Sequence, residues 1–183
     1  ATAAPKRRIL LKEPGSTQIA MAVYPLPKAV DPDVPAIDVM NYVLTEGRSS
    51  RMYQSIVETG IATSLDGGAS NLAEGGWYEI SSIVEVGKSL PKLEATIDKE
   101  IKLIQTKAAT PIEIARAKAQ LKAGYLLGNR DINSQARQLG NDQTTTGDYQ
   151  FTDKYLAGVE RVTAADIQRV AKKYLQASQK TIG

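Results

Sequence analysis

The side chains that could do chemistry in this chain are few, and their spacing is informative. Ser89-Leu90-Pro91-Lys92 has the Ser-x-x-Lys spacing of a serine nucleophile with a lysine base. A proline inside it and an amphipathic run after it make it a helix start instead. Glu58 with Asp66, or Glu79 with Glu85, could pair as acid and base in glycoside cleavage, which needs a cleft and a set carboxylate separation. Glu79 and Glu85 alternate with apolar residues, so a solvated sheet face is the simpler reading. Gly47-Arg48-Ser49-Ser50-Arg51 could cradle a phosphate, but it lacks the preceding strand and the Gly-Lys-Ser/Thr ending of a P-loop. It reads as a capped helix start, with Arg51 paired to a nearby carboxylate.

Two absences exclude more than these patterns include. The sequence contains 0 histidines and 0 cysteines. Imidazole and thiolate are the usual ligands of catalytic zinc, and imidazole is the usual proton shuttle near neutral pH. A hydrolytic zinc site, a Ser-His-Asp triad and a Cys-His pair are therefore excluded within this chain. Disulfides are excluded as well. No residue is assigned a catalytic, cofactor-binding or metal-binding role.

The bulk numbers fit an ordinary folded body. Of 183 residues, 42% are hydrophobic and 23% charged, which makes one domain the default. The 23 basic and 20 acidic residues leave a net charge of +3, which makes no case for a nucleic-acid partner. Lys6-Arg7-Arg8 reads as a solvated strand end. No apolar run is long enough to span a bilayer, so no membrane insertion is expected. The chain opens on Ala1-Thr2 and stops at Thr181-Ile182-Gly183, where a strand begins, and is read as a piece of something longer.

The elements follow from periodicity. Arg7–Lys12 reads as a short extended segment ended by Glu13-Pro14-Gly15. Gln18–Tyr24 alternates, with Ile19, Met21 and Val23 on one face and Ala20, Ala22 and Tyr24 on the other, and both faces are expected to be at least partly covered. Pro25, Pro27, Pro32 and Pro35 predict a loop. Ile37, Met40 and Leu44 predict a helix from about Pro35 to Thr45, and Met52, Ile56 and Val57 a second, short one stopping at Gly60. Ile61–Ser70 and Trp77–Val86 form a strand pair joined by Asn71–Gly76. Leu90, Leu93, Ile97, Ile101 and Ile104 make a helical stripe. Thr110-Pro111-Ile112-Glu113 is a capping box with proline at N1, opening a helix that ends at Gly128. A weaker polar helix covers Ser134–Asp142. Thr163-Ala164-Ala165-Asp166 caps a last helix carrying Ile167, Val170, Ala171, Tyr174 and Leu175. Strands grouped with helices, without strict alternation, predict an α+β fold: two layers, a mainly antiparallel sheet with helices on one face.

This order, and several local sequences, are similar to the C-terminal domain of the pitrilysin/insulinase-type (M16) zinc peptidases. The likeness covers nearly the whole chain. It rests on the proline-punctuated loop before Ile37 and on Gly47-Arg48-Ser49-Ser50-Arg51-Met52. It continues through Glu58-Thr59-Gly60-Ile61-Ala62 and Gly76-Trp77-Tyr78-Glu79-Ile80. Its most specific parts are Thr110–Lys118 and Val162–Ala171. The resemblance implies a single C-terminal-like domain over residues 1–183. It implies a module that completes the chamber of a zinc-dependent endopeptidase and is inactive alone. Zinc would belong to a homologous module, upstream in the same chain or in a paired subunit, and the other partner would be a peptide substrate. The family's assisting Arg/Tyr pair has no counterpart: Gly76–Gly87 contains no Arg and Lys88-Ser89-Leu90 no Tyr. Thr63 stands where the family often has Tyr. The alternative is a degenerate homologue acting as a structural or assembly scaffold. For contact with a peptide or a partner, the candidates are Trp77 and Tyr78, aromatics at a strand start beside Gly75-Gly76.

Overall fold

The computed structural model describes residues 7–12, 14–15 and 17–183; Lys6 of the basic cluster and Glu13 of the first turn lie outside the described residues. Five strands form one sheet in the order β1-β5-β2-β4-β3. β2 (Ile19–Leu26) is central and pairs antiparallel with both β4 (Gly76–Val84) and β5 (Thr181–Ile182). β3 (Ala62–Ser70) lies outside β4, and β1 (Arg7–Arg8) lies parallel to β5. The sheet is thus mainly antiparallel and the fold is α+β. The extended segment expected over Arg7–Lys12 is a strand only at its first two residues.

Alternation along β2 and β4 sends Ala20, Ala22, Tyr24, Leu26, Tyr78, Ile80, Ser82 and Val84 into the core. The opposite face is bare, because no helix packs there among the described residues. Ile19 is 56% exposed and Met21 39%, so of the two faces expected to be at least partly covered this is the less covered one. Pro25 also lies inside β2, where a loop was expected. Met21 exchanges hydrogen bonds with Gly183 on the β5 side, and residues 23 and 25 point the same way. β5 pairs only as far as Val23, so the missing N–H of Pro25 falls where no strand needs it.

Among the described residues, six α-helices make up the layer on the inner side. α1 (Val34–Leu44) is the hub, packed against β3 and against α3 (Pro111–Gly128), α5 (Phe151–Arg161) and α6 (Ala164–Tyr174). α2 (Leu90–Thr106) buries Leu93, Ile97, Ile101 and Ile104 against the sheet and α6. α4 (Ile132–Thr146) leans on α5 and is longer than expected, because Asp131 caps it by accepting from the backbone N–H groups of Asn133 and Ser134. Both expected capping boxes are formed, at Thr110/Glu113 and at Thr163/Asp166. The short helix after Ser50 is a π-helical turn over Tyr53–Val57.

α5 has no counterpart among the sequence-derived elements. Gln150 makes no side-chain cap, Gly158 is a weak helix former inside the helix, and only Val159 is buried. Gly158 has a packing reason, since a Cβ there would lie 2.9 Å from Cγ of Pro35. Gly76 is likewise obligatory: its Cβ would fall 1.7 Å from the Ser70 carbonyl oxygen across the β3–β4 connection.

α6 is fastened to the start of α1 by one carboxylate. Asp33, 5% exposed, accepts from Arg169 on one oxygen and from Lys173 (2.7 Å) and the Tyr174 hydroxyl (2.9 Å) on the other. Burial alone would raise this carboxyl, but hydrogen bonds from Lys173, Arg169 and Tyr174 hold it at about 2. A carboxyl depressed in the folded state stabilises above its unfolded value and loses that contribution as pH falls toward the folded one. Asp33→Asn is therefore expected to cost on the order of 2 kcal/mol near neutrality and much less near about pH 2. Urea unfolding at both pH values checks this, and an equal loss at both would refute it.

Candidate functional site

No catalytic constellation assembles from the residues that the sequence offered. Ser89 is the N-cap of α2, its carbonyl accepting from the N–H groups of Lys92 and Leu93, so the Ser-x-x-Lys spacing is a helix start. Gly47 turns the chain after α1 at φ 77°. Arg51 is fully occupied beyond it. Its Nε and Nη2 donate to the two oxygens of Glu113 at 2.7 and 2.9 Å. The same Glu113 accepts from the Thr110 N–H at 2.7 Å, completing the box that starts α3. The Arg51 guanidinium, ahead of burial and the Thr110 hydrogen bonds, sets the Glu113 carboxyl at about 2. The loop between α1 and the π-helical turn is thereby a clasp on α3 through Arg51, while Arg48 stays exposed beside it. Glu58 caps the π-helical turn, and Asp66 lies on the bare face of β3. Glu79 is on that face too, and Glu85 accepts from the Val86 N–H just past β4.

The two aromatic candidates part company. Trp77 is 40% exposed on the bare face, opposite Pro25 on β2 and Ser70 on β3. Tyr78, one residue on, is 0% exposed in the core, and burial pushes its phenol up. The period-two alternation of a strand makes this unavoidable. Only Trp77 presents a surface to anything outside the chain.

Around Trp77 the bare face is a shallow, mixed surface. Paired positions across the strands are Ile19 with Ile83, Met21 with Ser81, Val23 with Glu79 and Pro25 with Trp77. On β3 the outward residues are Ser64, Asp66, Gly68 and Ser70. Gly68 leaves a hollow of about 240 Å³ between Asp66, Trp77 and Glu79. An apolar band on β2 and β4 thus borders an acidic, glycine-floored strip on β3. This is the chemistry of a contact surface, since it combines exposed apolar area with a polar rim.

A catalytic zinc does not fit these residues. The sequence has neither His nor Cys, and among the described residues no group of three His, Cys, Asp or Glu side chains gathers that could hold a metal ion. Two polar clusters escaped the sequence reading, those around Asp33 and Asp38. Asp38 sits between Ile37 and Val39 in an apolar helix, and a carboxylate in such a run was the available signal.

A sheet with one helical face and one bare face defines a two-layer α+β module. The family model described as the peptidase M16 inactive domain matches residues 1–121, and the chain belongs to this family. An uncharacterized zinc protease of Mycobacterium tuberculosis is 26% identical over 141 residues, which are 76% of this chain and 32% of that protein. The beta subunit of the mitochondrial-processing peptidase of Lentinula edodes is 30% identical over 129 residues, 69% of this chain and 27% of that protein. The chain therefore spans about a third of the length of the curated relatives it matches. Among solved structures, a protease from Helicobacter pylori superposes with a TM-score of 0.91 at 19% identity, over 100% of this chain and 44% of that one.

The opposite fates of Trp77 and Tyr78 are measurable. Trp77→Ala is expected to shift unfolding stability by less than about 0.5 kcal/mol, and Tyr78→Ala to cost about 3–5 kcal/mol. Denaturant unfolding of both variants decides it; comparable losses would place Trp77 in the core.

Proposed function

We propose that this chain is the inactive, chamber-completing module of a zinc-dependent endopeptidase, and that residues 1–183 are one such module of a longer polypeptide or of a paired assembly. The reading rests on family membership and on a match that spans only about a third of its zinc-protease relatives. The observation that carries it is the bare sheet face. Ile19, Met21, Ile83 and Trp77 expose apolar area on the outer face of β2 and β4, which a homologous module would cover. The zinc and the base that activates water belong to that companion, because nothing in this chain can replace them. Trp77, beside the Gly68 hollow, is the contact residue for companion or peptide.

A scaffold role is favoured by one observation: the Gly76–Gly87 stretch offers no Arg to steady a tetrahedral intermediate. The two readings separate in one experiment. The chain is mixed with a zinc-bearing M16 module encoded beside it, and hydrolysis of a fluorogenic peptide and Trp77 emission are followed together. The protease reading expects no turnover by the chain alone, turnover at least about tenfold above the companion alone, and a blue shift of Trp77 on burial. Trp77→Glu should abolish both effects by placing a charge in the interface. A blue shift without turnover supports the scaffold; neither signal, or turnover by the chain alone, defeats the proposal.

A further inference from the structure

Between α1, the β3–β4 connection, α4 and α5 lies a cavity of about 240 Å³ whose charged lining residues are all acidic. Asp38 enters from α1 and Asp142 from α4, and neither Lys nor Arg is among the lining residues. Tyr125, Phe151 and Tyr155 supply aromatic walls, with Phe151 and Tyr155 stacked at 6.4 Å between ring centroids.

Hydrogen bonding in this cavity is incomplete on the acceptor side. Asp142 is engaged, accepting from Gln138 Nε2 at 2.8 Å and from the Thr152 N–H and hydroxyl at 3.2 and 2.6 Å. Asp38 Oδ2 accepts from the Tyr155 hydroxyl at 2.6 Å, while its Oδ1 has only Asn71 Nδ2, at 3.5 Å. Asn71 Oδ1 is buried without a donor. Turning this amide over would set its oxygen against the Asp38 carboxylate, so the orientation is dictated by charge.

The cavity thus holds two underused acceptors, two carboxylates and three aromatic faces, and no cation of its own. An anion would be repelled. A multivalent metal would lack ligands, since no group of three candidate side chains gathers among the described residues. An ammonium group carries three N–H donors, no acceptor, and a charge that aromatic faces attract. We propose that this cavity binds a primary ammonium on a short aliphatic stem, either a free alkylamine or a lysine side chain of a peptide, with Asp38 as its charge partner. The inference is independent of the reading of the bare sheet face.

The site carries a pH dependence. Burial lifts the Asp38 carboxyl to about 6, against the hydrogen bonds from Tyr155 and Asn71 that favour its charged form. The other ionisable groups around it are Tyr42 on α1, Tyr78 on β4, Tyr125 on α3, Asp142 on α4 and Tyr155 on α5. An ammonium ligand needs Asp38 ionised, so its affinity falls by about tenfold per pH unit below about 6.

The test titrates the 183-residue chain with n-butylammonium chloride, followed by amide chemical shifts at about pH 7.5 and about pH 5. Expected are saturable shifts at Asp38, Asn71 and Tyr155, a drop in affinity of about tenfold at the lower pH, and a similar drop in Asp38→Asn. Phe151→Leu, which spares the carboxylate, should weaken binding about threefold by removing one aromatic wall, and it serves if Asp38→Asn fails to fold. The peptide arm uses Nα-acetyl-lysine methylamide; binding by either amine supports the site, and the comparison identifies its source. The proposal is overturned if n-butanol gives the same shifts, if potassium chloride alone reproduces them, if n-butylammonium does not saturate, or if Asp38→Asn binds unchanged.

Discussion

The alternation of β2 and β4 is the constraint on which the rest depends. Because side chains in a strand point to opposite faces in turn, Ala20, Ala22, Tyr24 and Leu26 enter one layer with Tyr78, Ile80 and Val84. Each large member contributes roughly 1.5–3 kcal/mol by leaving water. A slip of one residue would reverse every one of them, so the pairing of Ile19 with Ile83 through Leu26 with Gly76 has no near competitor. The helical layer exists to cover that face, and the bare layer is what remains once it is covered. The residues facing outward are of mixed polarity and meet no helix among the described residues.

Carboxylates then decide how the helices stand on the sheet. Asp33 joins the entry of α1 to three consecutive-turn residues of α6, and Glu113 joins the start of α3 to Arg51 after α1. Both stay charged because their partners outweigh burial. Asp38 is the exception. It lies in the same helix as Ile37 and Val39, yet only a phenol and an amide donate to it, so burial prevails. Two satisfied anions fasten the body, and the third is left short of a counter-charge.

Much of this was legible in the sequence. The faces of β4, the stripe of α2 and both capping boxes follow from residue type and spacing, because each is a local contest that local chemistry wins. α5 was not legible, since its stability comes from Gly158 meeting Pro35 and from Tyr155 reaching Asp38, contacts across more than a hundred residues. Pro25 misled for a related reason: whether a strand tolerates proline depends on where its neighbour ends. Trp77 and Tyr78 fall on opposite faces in either phase of the strand, and which of them is buried is decided by where the helical layer lies. The cluster at Asp38 needed the third dimension altogether.

The outermost strand carries a last implication. Among the described residues β3 has a neighbour on one side only, which leaves a row of peptide groups open to another strand. Its own sequence blunts that invitation. The register shifts between Ala62 and Ser64, Asp66 sets a charge midway, and Gly67-Gly68 lowers the tendency to extend. Self-association by strand stacking is disfavoured at this edge, which lies beside the exposed apolar residues of β2 and β4.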